Sequence, residues 1–138
     1  MENSLSKEIF QSAHYIIVPD EIEDIQKAIV HCSDELKLDL VLTSGGTGFA
    51  QRDVTPEATF EVLDKHTPGI SEAMRYYSLQ ITPKAMLSRA ISGIRKQTLI
   101  INMPGSPKAV EECLQFIKEP IVHGIEIMKG SATECARK

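Results

Sequence analysis

The chain has 138 residues, 42% of them hydrophobic and 25% charged, with a formal net charge of −4. That length suits one domain with a real core and is short for two. Lysines and arginines are scattered and outnumbered by acids, which excludes a nucleic-acid surface. No apolar run reaches membrane-spanning length, and Met1-Glu2-Asn3-Ser4 has neither the basic start nor the apolar centre of a signal peptide. Cys32, Cys113 and Cys135 are odd in number and form no CxxC pair, so reduced thiols of a cytoplasmic protein are expected, with no zinc site.

In chain order, residues 1–13 are weakly patterned, with Leu5, Ile9 and Phe10 outlining one face of a short helix. A domain is expected over 14–130 and a frayed tail over 131–138. His14 to Val18 reads as a buried strand, because Tyr15, Ile16, Ile17 and Val18 suit a pleated surface. Pro19-Asp20-Glu21 then opens a helix whose face is Ile22, Ile25, Ile29 and Cys32, with Asp20 and Glu23 in the positions of a capping box. Leu38 to Thr43 is the next strand. Thr55 is expected to cap a helix with Pro56 in its first turn, running to about Asp64.

His66 to Gly69 reads as a turn, Ile70 to Gln80 as a helix, and Thr82-Pro83 as the start of a short one reaching Ser88 and Arg89. Ala90 to Arg95 and Thr98 to Met103 form a hairpin about Lys96-Gln97, the second strand apolar enough to be buried on both faces. Ser106-Pro107 caps a helix carrying Val110, Leu114 and Ile117, and Pro120 to Lys129 is a last helix. Alternating strands and helices give an α/β fold of three layers: a mainly parallel sheet with helices on both faces and one antiparallel hairpin strand.

The most informative segment is Ser44-Gly45-Gly46-Thr47-Gly48, which leaves the end of a predicted strand. Glycines there either permit tight turns or expose backbone N–H groups to a phosphate. Arg52 and Asp53 favour anion binding by adding a permanent cation and a possible Mg²⁺ ligand. In parallel α/β sheets the ligand sits at the carboxyl ends of the strands. Asp20, the glycine loop with Asp53, and Pro104-Gly105-Ser106 each follow a predicted strand, so all three are expected at one sheet edge. Other readings stay open at each position. Asp20 suits a helix N-cap, Asp53 a turn or a partner for Arg52, and Ser88 an ordinary helix surface. The four histidines have no companions at ligand spacing. Tyr76 and Tyr77 suit core and helix surface better than a stacking platform for adenine.

Five segments in order resemble the molybdopterin adenylyltransferases, the bacterial MogA type and the G domain of gephyrin. They are Val18-Pro19-Asp20-Glu21, Thr43 to Gly48, Arg52-Asp53-Val54-Thr55-Pro56-Glu57-Ala58-Thr59, Met86-Leu87-Ser88-Arg89, and Asn102 to Pro107. The resemblance runs from about Tyr15 to Gly130. It implies molybdenum cofactor biosynthesis by Mg²⁺- and ATP-dependent adenylylation of molybdopterin, with release of pyrophosphate, in a homotrimer. It assigns Gly45, Gly46, Thr47, Gly48 and Arg52 to nucleotide and phosphate binding, and Asp20 and Asp53 to catalysis and Mg²⁺. Ser88 is assigned to molybdopterin handling, and Pro104, Gly105 and Ser106 to the molybdopterin pocket edge.

Family members begin with a strand ending in a Thr-x-Ser-Asp type segment, and nothing in Met1 to His14 matches it. The resemblance therefore implies an N-terminally truncated version of the fold. Three functions follow: a working adenylyltransferase, an inactive short isoform that assembles with full-length subunits or a molybdenum-insertase domain, or a gephyrin-like trimeric scaffold.

Overall fold

A computed structural model describes residues 10–130. The expected helix contributions of Leu5 and Ile9, the tail at 131–138 and Cys135 lie outside the described residues. The isoleucine spacing produces α1 (Ile22–Val30), which continues as a π-helical turn over His31–Glu35. Ile25, Ile29 and Cys32 are buried, as the periodicity requires. The expected capping box does not form: Glu21 precedes the first helical residue, and no side chain caps the helix.

Next come β1 (Leu40–Ser44) and α2 (Thr55–Val62). Thr55 is the first helical residue, not its cap, because its N–H is drawn onto the Gly46 carbonyl at 3.1 Å. The short strand β2 (Lys65–His66) takes the start of the expected turn, and α3 (Pro68–Leu79) begins directly after Thr67. A 3₁₀ turn covers Pro83–Leu87, its first turn held by the Thr82 hydroxyl accepting from the Lys84 N–H. The hairpin is β3 (Ser92–Arg95) and β4 (Thr98–Met103). Finally, α4 (Pro107–Met128) starts at the Ser106 cap and runs unbroken through Pro120, where two helices were expected.

The sheet order is β1-β4-β3-β2, with β1 and β4 parallel and the other two pairings antiparallel. Among the described residues the sheet is therefore mixed, not mainly parallel. The reason lies at 10–19, which joins no ladder. Phe10 touches the core on one side of the sheet and Val18 the core on the other. Between them Tyr15 and Ile17 are more than 80% exposed. β-Propensity describes how side chains fit a pleated surface; it supplies no partner strand.

All six residues of β4 are buried, which marks it as the central strand. Leu99, Ile101 and Met103 face α3 and α4, packing with Met74, Val110, Leu114, Ile117 and Ile121. Ile100 faces the other way, onto Ile25, Ile29 and Ala58 of α1 and α2. The strand's period of two thus feeds both helical layers, and the expected three-layer arrangement stands.

Candidate functional site

The parallel pairing of β1 and β4 sets their carboxyl ends side by side, so the loops after Ser44 and Met103 leave the sheet together. The Ser44 hydroxyl donates to the Pro104 carbonyl at 3.0 Å, and the Gly45 N–H to the Met103 carbonyl at 3.3 Å. A Cβ on Gly105 would stand 3.5 Å from Gly45 Cα. Two of the three expected segments therefore meet. Asp20, in the third, is exposed, and among the described residues no hydrogen bond ties it to the glycine loop or to Asp53.

Gly46 has φ +73°, and a Cβ there would lie 2.2 Å from Thr55 Oγ1, so both backbone and packing demand glycine. Gly48 lies under Asp53, whose Oδ2 would be 2.9 Å from a Cβ at that position. Asp53 closes its own turn: Oδ2 accepts from the Ala50 N–H at 3.0 Å, and the Asp53 N–H donates to the Ala50 carbonyl at 2.9 Å. Of the two alternative readings of Asp53, the turn is seen and the pairing with Arg52 is not seen among the described residues. Arg52 is exposed and makes no ion pair among the described residues.

Three successive carbonyls of the loop are occupied. That of Gly46 accepts from the Thr55 N–H, that of Thr47 from the Arg89 N–H at 2.8 Å, and that of Gly48 from Arg89 Nε at 2.9 Å. The N–H groups of Gly46, Thr47, Gly48 and Phe49 meet no acceptor among the described residues. A run of backbone amides without acceptors is chemistry that an anion can use. Ser88 precedes Arg89 and so lies beside the loop; its Oγ accepts from the Ala90 N–H at 3.3 Å. Arg75 donates to the carbonyls of Ser88 and Ala90, fixing this short segment from α3.

Two residues outside the expected site support it. Arg89 also reaches the Asp53 carbonyl at 2.6 Å and the Glu57 carboxylate, and this hydrogen bond holds the Glu57 carboxyl below its ordinary range. Asn102 is fully buried. Its amide donates to Thr43 Oγ1 and Thr59 Oγ1 at 3.0 Å each, and its Oδ1 accepts from the Ile91 N–H. Both were visible only as members of the resembling segments, since neither has a periodicity or spacing that marks a role.

Among the described residues no three His, Cys, Asp or Glu side chains gather as a metal site. The donor set fits a hard cation that arrives with a triphosphate and needs one or two protein carboxylates. Asp53 fits that requirement, because only its Oδ2 is engaged. A cavity of about 360 Å³ lined by Lys65, Ile94, Lys96 and Gly124 lies at the hairpin end of the sheet, away from the loops. Concavity alone therefore does not single out the glycine loop.

Residues 1–124 match the family model described as a probable molybdopterin binding domain. The chain belongs to that family. It is 46% identical over 125 residues to the molybdopterin adenylyltransferase of Helicobacter pylori (strain J99), covering 91% of this chain and 71% of the relative. It is 54% identical over 116 residues to the gephyrin of Dictyostelium discoideum, covering 84% of this chain and 16% of that protein. The crystal structure of the molybdopterin biosynthesis enzyme MoaB from Thermus thermophilus superposes with a TM-score of 0.88 at 45% identity, over 94% of this chain and 81% of that one. The family expected from the motifs and its α/β fold are thus borne out.

Proposed function

We propose that this chain works in molybdenum cofactor biosynthesis as a nucleotidyltransferase, moving AMP from ATP to the terminal phosphate of molybdopterin. The observation that carries the reading is the run of four open amides at Gly46 to Phe49, beside the Pro104-Gly105-Ser106 loop. In the reaction a phosphate oxygen of molybdopterin bonds to the α-phosphorus of ATP, and the bond from that phosphorus to the bridging oxygen breaks, releasing pyrophosphate. The nucleophile is already anionic at neutral pH, so the chain needs no strong general base. What it must supply is alignment and neutralisation of charge.

The loop amides hold the phosphates, and Arg52, with no ion-pair partner among the described residues, adds its charge from the same loop. Ser88 keeps its hydroxyl proton for the molybdopterin side, since its oxygen is used as an acceptor. Asp53, with Asp20 contributed from the start of α1, would hold Mg²⁺, which neutralises the triphosphate when bound. The names of the relatives support the choice of substrates.

The test is pyrophosphate release by the purified chain given Mg-ATP and molybdopterin. Turnover is expected, and Asp53→Ala should lower it by about 100-fold or more. A cooperatively folded chain that releases no pyrophosphate sinks the enzyme reading. A scaffold is the second reading, favoured by the exposed apolar side chains Tyr76, Ile81, Met86, Leu87 and Phe116 around α3 and the 3₁₀ turn. Homotrimer formation without nucleotide affinity would decide for it.

A further inference from the structure

Backbone and side chain of one residue hold two successive carbonyls of the glycine loop. Arg89 brings four donors to the loop region: its N–H to the Thr47 carbonyl, Nε to Gly48, Nη2 to Asp53, and Nη1 to the Glu57 carboxylate. The described residues contain no cis peptide. In a trans peptide the C=O and N–H point in opposite directions, so a carbonyl held towards Arg89 turns the next residue's N–H away from it. The Thr47 carbonyl, held by the Arg89 backbone N–H, turns the Gly48 N–H away from that backbone, while the Gly48 and Asp53 carbonyls, held by the guanidinium, turn the N–H groups of Phe49 and Val54 away from it.

Gly48 has no Cβ to keep these peptide planes from flipping. Glu57, in the first turn of α2, neutralises Arg89 and fixes the plane of its fork. With Nε and both Nη atoms engaged, three of the five guanidinium N–H donors are committed within the chain, which fixes the orientation of the fork.

We infer that Arg89 is a positioning residue, which orients the glycine-loop peptides so that their amides face the phosphates of a nucleoside triphosphate. The inference rests on the transferase reading above. A lysine keeps the charge, yet one ammonium cannot satisfy carbonyls of Gly48 and Asp53 and a carboxylate in fork geometry. Charge alone and orientation therefore predict different behaviour for Arg89→Lys.

The experiment uses the full chain, Arg89→Ala and Arg89→Lys, with inorganic pyrophosphate and Mg-ATP as probes. In the unmutated chain pyrophosphate should shift the amide NMR resonances of Thr47, Gly48 and Phe49. Both variants should bind Mg-ATP about 10- to 100-fold more weakly, with a raised KM for ATP and a lowered kcat, while still unfolding cooperatively. If Arg89→Ala does not fold, Arg89→Lys carries the comparison.

Affinity equal to the unmutated chain in the variant compared, full rescue by lysine, or amides that ignore pyrophosphate in the unmutated chain would each overturn the positioning role. Amides that respond in a chain without pyrophosphate release would sink the transferase reading alone. The lysine comparison would then still decide the role of Arg89.

Discussion

At the scale of single residues, the glycine loop is shaped by three side chains that press against it: Thr55 on Gly46, Asp53 on Gly48 and Arg89 on the carbonyls. Gly45 and Gly46 both have positive φ, but only Gly46 is crowded. Gly45→Ala meets nothing within 4 Å and should cost only the backbone strain, about 1 kcal/mol. Gly46→Ala adds the clash with Thr55 Oγ1 and should cost about 2–4 kcal/mol. Urea unfolding of the two variants checks the order; equal midpoints would contradict it. The glycines, Asp53 and Ser106 were legible in the sequence because their roles depend on neighbours a few residues away. Arg89 and Asn102 were not, because their partners lie 32 to 59 residues away, apart from Ile91 beside Asn102.

At the scale of elements, two expectations failed for opposite reasons. Pro120 was read as a helix boundary, since it lacks an N–H and its ring crowds the carbonyl four residues back. The helix continues because Ile117 and Ile121, on either side of it, are both buried on the sheet face of α4. Packing outweighs the local penalty there. Pro120 itself is exposed, so Pro120→Ala restores the missing bond to Phe116 without disturbing the core. It should stabilise the chain by about 1–3 kcal/mol, read as a higher midpoint in thermal unfolding; an unchanged or lower midpoint would refute this. His14 to Val18 is the converse case, a segment with strand-forming residues and no ladder among the described residues to complete it. Element identity was legible wherever a periodic face also had a surface to cover.

At the scale of the whole molecule, Asp34 and Arg95 join elements far apart in the chain. Arg95, at the end of β3, donates Nε and Nη2 to the Asp34 carboxylate beyond α1 at 3.0 and 2.8 Å, and Nη1 to the Val62 carbonyl that ends α2. The hydrogen bonds from Arg95 hold the Asp34 carboxyl well below the usual carboxylate range. A folded-state value depressed below the unfolded one, about 4, stabilises the fold above that pH. That contribution is lost as the pH falls through the folded value. Stability measured by denaturant titration should therefore decline below about pH 4, and Asp34→Asn should be less stable at neutral pH with a flatter acid limb. An acid limb unchanged in Asp34→Asn would place the acid sensitivity elsewhere. The carboxylate of Glu57, also lowered by its arginine, acts in the same direction.

The sequence by itself determined the family, the two-faced central strand, the helix faces and the loop that carries the open amides. Those features depend on period, on turn chemistry and on short runs of residues, all of which act locally along the chain. Only the tertiary structure decided that β1 and β4 bring two loops together and that Arg89 clamps one of them. The reason is physical: strand pairing and hydrogen bonds between distant residues depend on which partner is available in space. No local pattern encodes that.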